Sequence, residues 1–404
     1  MLKDKVIFFL GNTRFDGNIK STSLFIARNL AKTNTVFFID YPFTLKDYFN
    51  YMKTDQLKER GNKFSIFSDG LIDTDLPNLK IVITPPVLPI NFMPEGTVFR
   101  SLLKINELLI SLRIKKILKD KKITDFIFIN SFNFHYPNLA RKIKPTLTVY
   151  HCVDPMIMPY DMKHGIESEK HLVLHSDLVI CTSVKLTQEK KLLNKNTYFV
   201  PNASDSDNGF RPIDETIPVH PKLLDKRKPI VGYLGTIERR IDYNLLLAVV
   251  KANKDKTFIL AGPVEEDYLS NPLFEETNVH QLGAVPYLEV PQVINSFDLA
   301  IIPFKKDEVS RTIFPIKLFE YLSFGKPVVS TDFNIDLKDF TDDIVDYCAD
   351  AASFSRAINT ALENDNSLKS EERKALANQN TWKKRSDYIA EILSQHLELK
   401  TGHN

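Results

Sequence analysis

Short, continuous apolar runs recur along the whole chain, and they restrict its fold more than any other feature. The first half carries VIFFL (Val6–Leu10), TVFFID, LKIVIT, FIFIN, LTVY, LVICT and YFV. Each run is rich in β-branched or aromatic residues, and most are separated by amphipathic segments long enough to be helices. None alternates apolar with polar, so none has a solvent face. Strands buried on both faces belong to parallel sheets covered by helices. After about residue 225 the series restarts with PIVGYLG, TFILAG, VHQLG, LAIIPF, KPVVST and IVDYC. Two such series predict two doubly wound, Rossmann-like α/β domains. A length of 404 residues is enough for two cores. The segment PNASDSDNGFRPIDETIPVHPKLLDKRKP lacks periodicity and is rich in Pro, Asp and Asn, as a linker would be. The expected division is a first domain over 1–205, a linker over 206–225 and a second domain over 226–380. A C-terminal helix over 381–404, with Tyr388, Ile389, Ile392 and Leu393 on its apolar side, is expected to pack back toward the first domain.

Composition narrows the class. Apolar residues are 43% and charged residues 26% of the chain, and the formal charge is only +2, which gives no basic excess for a nucleic-acid partner. Three scattered cysteines, Cys152, Cys181 and Cys348, suit reduced thiols in a cytoplasmic setting better than a disulfide frame or a zinc site. No stretch approaches the roughly eighteen apolar residues of a membrane helix. The run Val6–Leu10 is too short for a signal peptide and reads as a first strand. The expected location is cytoplasmic, with room for peripheral attachment to the inner face of a membrane.

Open α/β sheets hold ligands at the carboxyl ends of their strands, so the loops that follow strands come next. After the first strand, Gly11 and Gly17 bracket GNTRFDG, and Ser21 or Thr22 can cap the next helix. Small residues there let backbone amides approach an anion, although a routine strand-to-helix turn is the better account of the loop taken alone. The loop is not the Gly-x-Gly-x-x-Gly fingerprint of dinucleotide sites. Pro327 after Gly325-Lys326 likewise excludes a phosphate-binding P-loop.

The stretch LTVYHCVDP places His151 and Asp154 beyond a strand, where either can act as a base or contact a hydroxyl. Alternatively His151 is an enclosed core residue and Asp154 a turn cap. VGYLGTIERRID opens the second domain with Gly232, Gly235, Arg239 and Arg240; one guanidinium at the next helix start suits a pyrophosphate. The acidic triplet around Asp205 and Asp207 lies in the linker without further carboxylates and predicts no metal site.

In FPIKLFEYLSFGKPVVSTD, Pro315 opens a helix that carries Lys317 and Glu320 three residues apart on one face, directly before an apolar strand. A solvated helix face explains the charges but not the tight succession.

Taken together, VGYLGTIERRIDYNLL, NVHQLGAVPYLEVPQVINSFDLAIIPF and FPIKLFEYLSFGKPVVSTD resemble glycosyltransferases of the GT-B fold. The resemblance is closest to the family-four-like enzymes of bacterial surface-polysaccharide synthesis. YHCVDP and HSDLVICTSVKLTQEKKLLNKNTYFVPNAS extend it over most of the chain, with the region from Tyr41 to Leu79 unmatched. The resemblance implies two domains facing a central cleft and a nucleoside-diphosphate sugar donor, UDP on family precedent. It also implies an oligosaccharide or lipid-linked acceptor, and no metal or other cofactor. Glu320 would hold the donor ribose, and Lys317 its phosphates or an acidic group. The helix start at Pro315 would face the pyrophosphate, and the loop around Val285 would frame the base. Where retaining members carry a second glutamate contacting the transferred sugar, this chain has Thr312, which leaves the stereochemical course open. Some inverting relatives use an aspartate base at a position similar to Asp154.

Two other readings accommodate the same residues: a nucleotide-sugar epimerase of this fold, and a nucleotide-sugar-binding partner protein without catalysis, favoured by Thr312. The segment Phe99 to Lys122 holds eight basic and two acidic residues among many Leu and Ile. It suits an anionic membrane surface, or a domain helix with a solvated lysine face.

Overall fold

A computed structural model describes residues 2–16, 21–51, 58, 60–204 and 217–401. Gly17 and the Asp205–Asp207 triplet lie outside the described residues. The chain forms two compact units, one of residues 1–201 with 385–404 and the other of residues 202–384.

The first unit is built on eight strands: β1 (Val6–Leu10), β2 (Thr35–Ile39), β3 (Leu71–Asp73), β4 (Leu79–Val82), β5 (Ile127–Ser131), β6 (Leu147–Cys152), β7 (Leu178–Cys181) and β8 (Thr197–Phe199). Their order is β3-β4-β2-β1-β5-β6-β7-β8. Seven are mutually parallel, and β3 alone runs antiparallel, against β4. The parallel strands are those read from the apolar runs. β3 was not foreseen, because Leu-Ile-Asp is too short and too exposed to carry a pattern. Ser21 caps the helix Thr22–Leu30, its hydroxyl accepting the Leu24 amide at 3.3 Å. From residue 385 on, the helix Trp382–Thr401 belongs to this unit. His396 there meets the Tyr198 hydroxyl at 2.8 Å and Lys400 pairs with Asp177 at 2.7 Å. Ile389, Ile392 and Leu393 are buried as expected, but Tyr388 is 46% exposed and does not join the apolar side.

The long helix Thr97–Asp120 buries Phe99, Leu103, Ile110, Ile114 and Ile117. Its inward polar residues are consumed by loop backbone. Asn106 brackets Leu88 through bonds of 2.8 and 3.0 Å, and Arg113 donates to the carbonyls of Lys63, Ser65 and Ile83.

The loop after β1 is closed by a buried ion cluster. Arg60, fully buried, donates to Asp16 at 2.6 and 2.9 Å and to Asp40 at 2.8 Å. Asp40 also accepts the Phe15 amide at 2.8 Å. Burial pushes the Asp40 carboxyl up from its ordinary value, with Arg60 pulling the other way.

The second unit has six strands, all parallel: β9 (Ile230–Leu234), β10 (Thr257–Ala261), β11 (Val279–Gly283), β12 (Leu299–Ile302), β13 (Val328–Thr331) and β14 (Asp346–Cys348). Their order is β11-β10-β9-β12-β13-β14. β9 and β12 are adjacent at the centre, so the loops leaving their carboxyl ends are neighbours. Open α/β sheets bind ligands at such neighbouring strand-end loops.

Removing one member of a buried ion cluster leaves the others unpaired. Arg60→Ala is therefore expected to lower unfolding free energy by about 3–5 kcal/mol, read by urea denaturation. A loss under about 1 kcal/mol would show that the cluster contributes little to stability.

Candidate functional site

The site in the second unit starts with backbone geometry. Gly235, just past β9, has φ +144°, and Gly262, just past β10, has φ +142°. Both values favour glycine. A Cβ on Gly262 would lie 2.1 Å from the Gly235 carbonyl oxygen, so the two loops nest only because Gly262 has no side chain. A Cβ on Gly235 would lie 2.6 Å from the Lys317 Nζ. The glycine therefore leaves room for an ammonium group that arrives from a helix 82 positions later in the chain.

That helix, Ile316–Ser323, is entered through Pro315 in an extended conformation, and no side chain caps it there. Two asparagines hold the approach: Asn202 donates to the Phe314 carbonyl at 2.8 Å and Asn334 to the Ile313 carbonyl at 2.9 Å. Leu318, Phe319, Tyr321 and Leu322 are buried. The Tyr321 hydroxyl both accepts from the Leu234 amide (2.8 Å) and lies 3.3 Å from its carbonyl, fastening the helix to the end of β9. Lys317 and Glu320 share the remaining, half-buried face.

Lys317 donates to the Tyr233 hydroxyl at 3.0 Å, and that hydroxyl donates onward to the Thr236 carbonyl at 3.0 Å. The ammonium sits 4.3 Å from the Tyr233 ring centroid and 4.9 Å from that of Phe304. Burial, then the neighbouring Arg240 guanidinium, bring Lys317 down to about 7; Glu320 and Glu238 oppose the shift. Arg240 is bound to the buried Glu238 and lies 5.6 Å from the Phe304 centroid. The loops after β9 and β12 are joined by the Asp242 amide to the Pro303 carbonyl (2.8 Å) and the Lys305 amide to the Arg240 carbonyl (2.7 Å).

Arg239 is half-buried on the same loop. Burial would raise Asp307, but the Ser310 amide, then Arg239 and Lys305, hold it below its usual value. Thr312 is 3% exposed in the turn Ser310–Thr312, and its hydroxyl donates to the Val309 carbonyl at 2.6 Å. Val285 is half-buried in the loop after β11, and the Gly283 carbonyl at that strand's end accepts the Gly262 amide at 2.8 Å.

Of the predicted residues, the second unit brings Gly235, Arg240 and Glu320 near Lys317. Arg239 lies on the loop of Arg240, Val285 on the loop after β11, Thr312 in the turn Ser310–Thr312 and Pro315 at the entry of the Lys317 helix. His151 and Asp154 belong to the first unit. His151, at the end of β6, is 2% exposed, with Nδ1 2.9 Å from the Ser131 hydroxyl. Burial brings it down to about 4, so it is neutral at ordinary pH. Asp154 is exposed in the turn that follows. The sequence reading missed Tyr233, Phe304 and Tyr321, which enclose or anchor the Lys317 helix. Tyr233 and Phe304 are aromatics at the end of apolar runs and Tyr321 an aromatic on a helix's apolar side, signals that core packing explains as well.

Among the described residues no three His, Cys, Asp or Glu side chains gather into a metal-ligand set, and no helix is long and apolar enough to cross a membrane.

Residues 228–364 match the family described as glycosyl transferases group 1. Over 213 residues the chain is 25% identical to a Bacillus subtilis (strain 168) protein, TuaH, named as a teichuronic acid biosynthesis glycosyltransferase. That match spans 49% of this chain and 53% of TuaH, about half the length of each. Sucrose-phosphate synthase from Thermosynechococcus elongatus superposes with a TM-score of 0.68 at 12% identity, covering 97% of this chain and 98% of that one. Anabaena Alr3699/HepE, in complex with UDP and glucose, gives a TM-score of 0.61 at 15% identity, covering 97% and 100%. An α,α-trehalose-phosphate synthase (UDP-forming) from Burkholderia vietnamiensis gives 0.65 at 10% identity, covering 97% of each chain. At these identities the structural matches speak for the fold, which is GT-B.

Lys317 provides a test of the site's electrostatics. Its folded value of about 7 lies below the ordinary 10.5, so between these pH values the unfolded chain binds more protons than the native one. The cost of the buried charge is fully present below about pH 7 and is relieved as pH rises toward about 10. Wild type is expected to gain stability relative to Lys317→Met across that window, measured as the difference in urea midpoints. Parallel pH profiles for the two proteins would contradict the assignment.

Proposed function

We propose, from the group 1 glycosyl transferase domain carried by residues 228–364, that this chain transfers a sugar from a nucleoside diphosphate to a saccharide acceptor. The donor is a UDP-sugar and the acceptor a surface polysaccharide or its lipid-linked precursor. HepE, which shares the fold, has been seen with UDP and glucose, and TuaH is named for polysaccharide synthesis; both support this choice.

The observation that carries the reading is the shared face of Lys317 and Glu320, with the ammonium backed by Tyr233 and Phe304. A carboxylate accepts two hydrogen bonds from a vicinal diol, so Glu320 holds the ribose. The diphosphate is met by Lys317, Arg239 and the amides at the start of the helix Ile316–Ser323. A bound diphosphate favours the charged form of Lys317 and restores the proton that burial disfavours. Charge developing on the leaving group is thereby stabilised by fixed protein groups, and the transfer runs without a divalent metal.

If the transfer inverts, as in the relatives with an aspartate at a similar position, Asp154 takes the acceptor hydroxyl proton as the acceptor oxygen bonds to the anomeric carbon; if it retains, Asp154 or His151 only orients donor or acceptor. The bond from that carbon to the diphosphate breaks, and its electron pair leaves with the phosphate. His151, neutral and tied to Ser131, supports the strand end that precedes Asp154.

Glu320→Ala is expected to weaken UDP binding by about 1.5–3 kcal/mol, the range for hydrogen bonds to a charged group, measured by titration calorimetry. Equal affinity in the two proteins would remove Glu320 from the site and the reading with it. Asp154→Asn is expected to keep UDP affinity while slowing sugar incorporation into a membrane extract by about 10²–10⁴-fold. Conversion of the donor to an epimer with no acceptor present would favour an epimerase instead.

A further inference from the structure

The outward face of the helix Thr97–Asp120 exposes a line of apolar residues. Val98 is 64% exposed, Ile105 45%, Leu108 46% and Leu112 47%. At 100° per residue these four, together with Ser101, Lys104, Lys115 and Lys119, fall within an arc of about 120° opposite the buried stripe. The apolar part runs from Val98 to Leu112, roughly 20 Å at 1.5 Å per residue. Lys115 and Lys119 continue the same line, and the exposed Lys121 and Lys122 follow it.

Of the helix's two acidic residues, Glu107 is buried and accepts the Asn138 amide at 2.6 Å, and Asp120 is bound to Lys116 at 2.9 Å. Its two arginines are also engaged: Arg113 is buried on loop carbonyls, and Arg100 is bound to Glu95 and Ser168. Lys116 and the exposed Asp120 pair with each other at the end of the helix, while Lys104, Lys115 and Lys119 carry no ion pair among the described residues.

We infer that this face seats on an anionic lipid surface. Val98, Ile105, Leu108 and Leu112 enter the boundary between headgroups and acyl chains, while Lys104, Lys115 and Lys119 meet lipid phosphates. An apolar stripe flanked by unopposed lysines is the pattern of a helix lying in the plane of a charged interface. Each lysine near such a surface contributes roughly fivefold to partitioning. A nucleic acid would match the lysines but leave the exposed leucines in water. A second copy of the chain would bring the same positive charge against itself. The inference does not depend on the proposed transferase activity.

Flotation of the full chain with vesicles provides the test. At low salt the protein is expected to float with phosphatidylglycerol/phosphatidylcholine vesicles at least about tenfold more than with phosphatidylcholine alone. Leu108→Asp/Leu112→Asp should bring flotation down to the neutral-vesicle level. Lys115→Glu/Lys119→Glu, which leaves the apolar stripe in place, should weaken flotation on anionic vesicles only and reduce its salt dependence. The inference is overturned if wild type floats with neither vesicle, or if both double variants float like wild type. It is equally overturned if the chain forms a dimer that Leu108→Asp/Leu112→Asp dissolves while lipid binding is absent. Thermal unfolding of Leu108→Asp/Leu112→Asp at the wild-type midpoint shows that its loss of flotation is not a loss of fold.

Discussion

A half-buried ammonium group lying over two aromatic rings is the constraint around which the site in the second unit is organised. Lys317 reaches the Tyr233 hydroxyl at 3.0 Å and lies over both the Tyr233 and Phe304 rings. Cation–π attraction and one hydrogen bond offset part of the cost of desolvating a charge, on the order of 2 kcal/mol when the pair is buried. The remainder is visible in the fall of Lys317 to about 7. Everything near it conforms to that group. Gly235 leaves the space, Gly262 lets the Gly235 loop approach, and Tyr321 pins the helix that delivers the lysine.

Buried charge elsewhere in the molecule is treated differently. Arg60 in the first unit faces two carboxylates, and Lys190 is bound to Glu169 at 2.6 Å, with the Tyr150 hydroxyl on the same carboxylate at 2.8 Å. Those charges are paired with carboxylates inside the fold and hold loops and helices in place. Among the described residues Lys317 has no carboxylate within ion-pair distance; its opposite charges, Glu320 and Glu238, act from farther away. A cation left in that condition in the first turn of a helix, beside the strand-end loop of Gly235, is suited to an incoming anion. The distinction rests on how each charge is paired.

The two-sheet architecture was legible because strands buried on both faces leave an unbroken apolar signature. Thirteen of the fourteen strands in the element order fall on runs picked out in the sequence, although β11 and β14, at the two edges of the second sheet, are broken by polar residues and partly exposed; β3, three residues at a sheet edge, has none. Lys317 and Glu320 were legible as a pair because i and i+3 share a face on any helix. Which arginine is engaged was not legible: Arg239 and Arg240 are adjacent, and only the fold brings Glu238 and Phe304 to Arg240. The long helix shows the same limit. Its composition marked it as basic and amphipathic, but only the burial of Arg113 and the pairing of Arg100 and Asp120 show which charges remain outside.

The chain's sequence alone determined two parallel α/β domains, the helix that presents an ammonium and a carboxylate together, and the glycines at strand ends. These are local or periodic properties, written in spacing. Only the tertiary structure decided what encloses that ammonium, because Tyr233 and Lys317 are 84 positions apart. They meet through the Tyr321 hydroxyl at the end of β9 and through the pairing of β9 with β12, which sets Phe304 beside them. Strand order and register have no counterpart in linear spacing, so the protonation balance of the site could be read only after folding had set its neighbours.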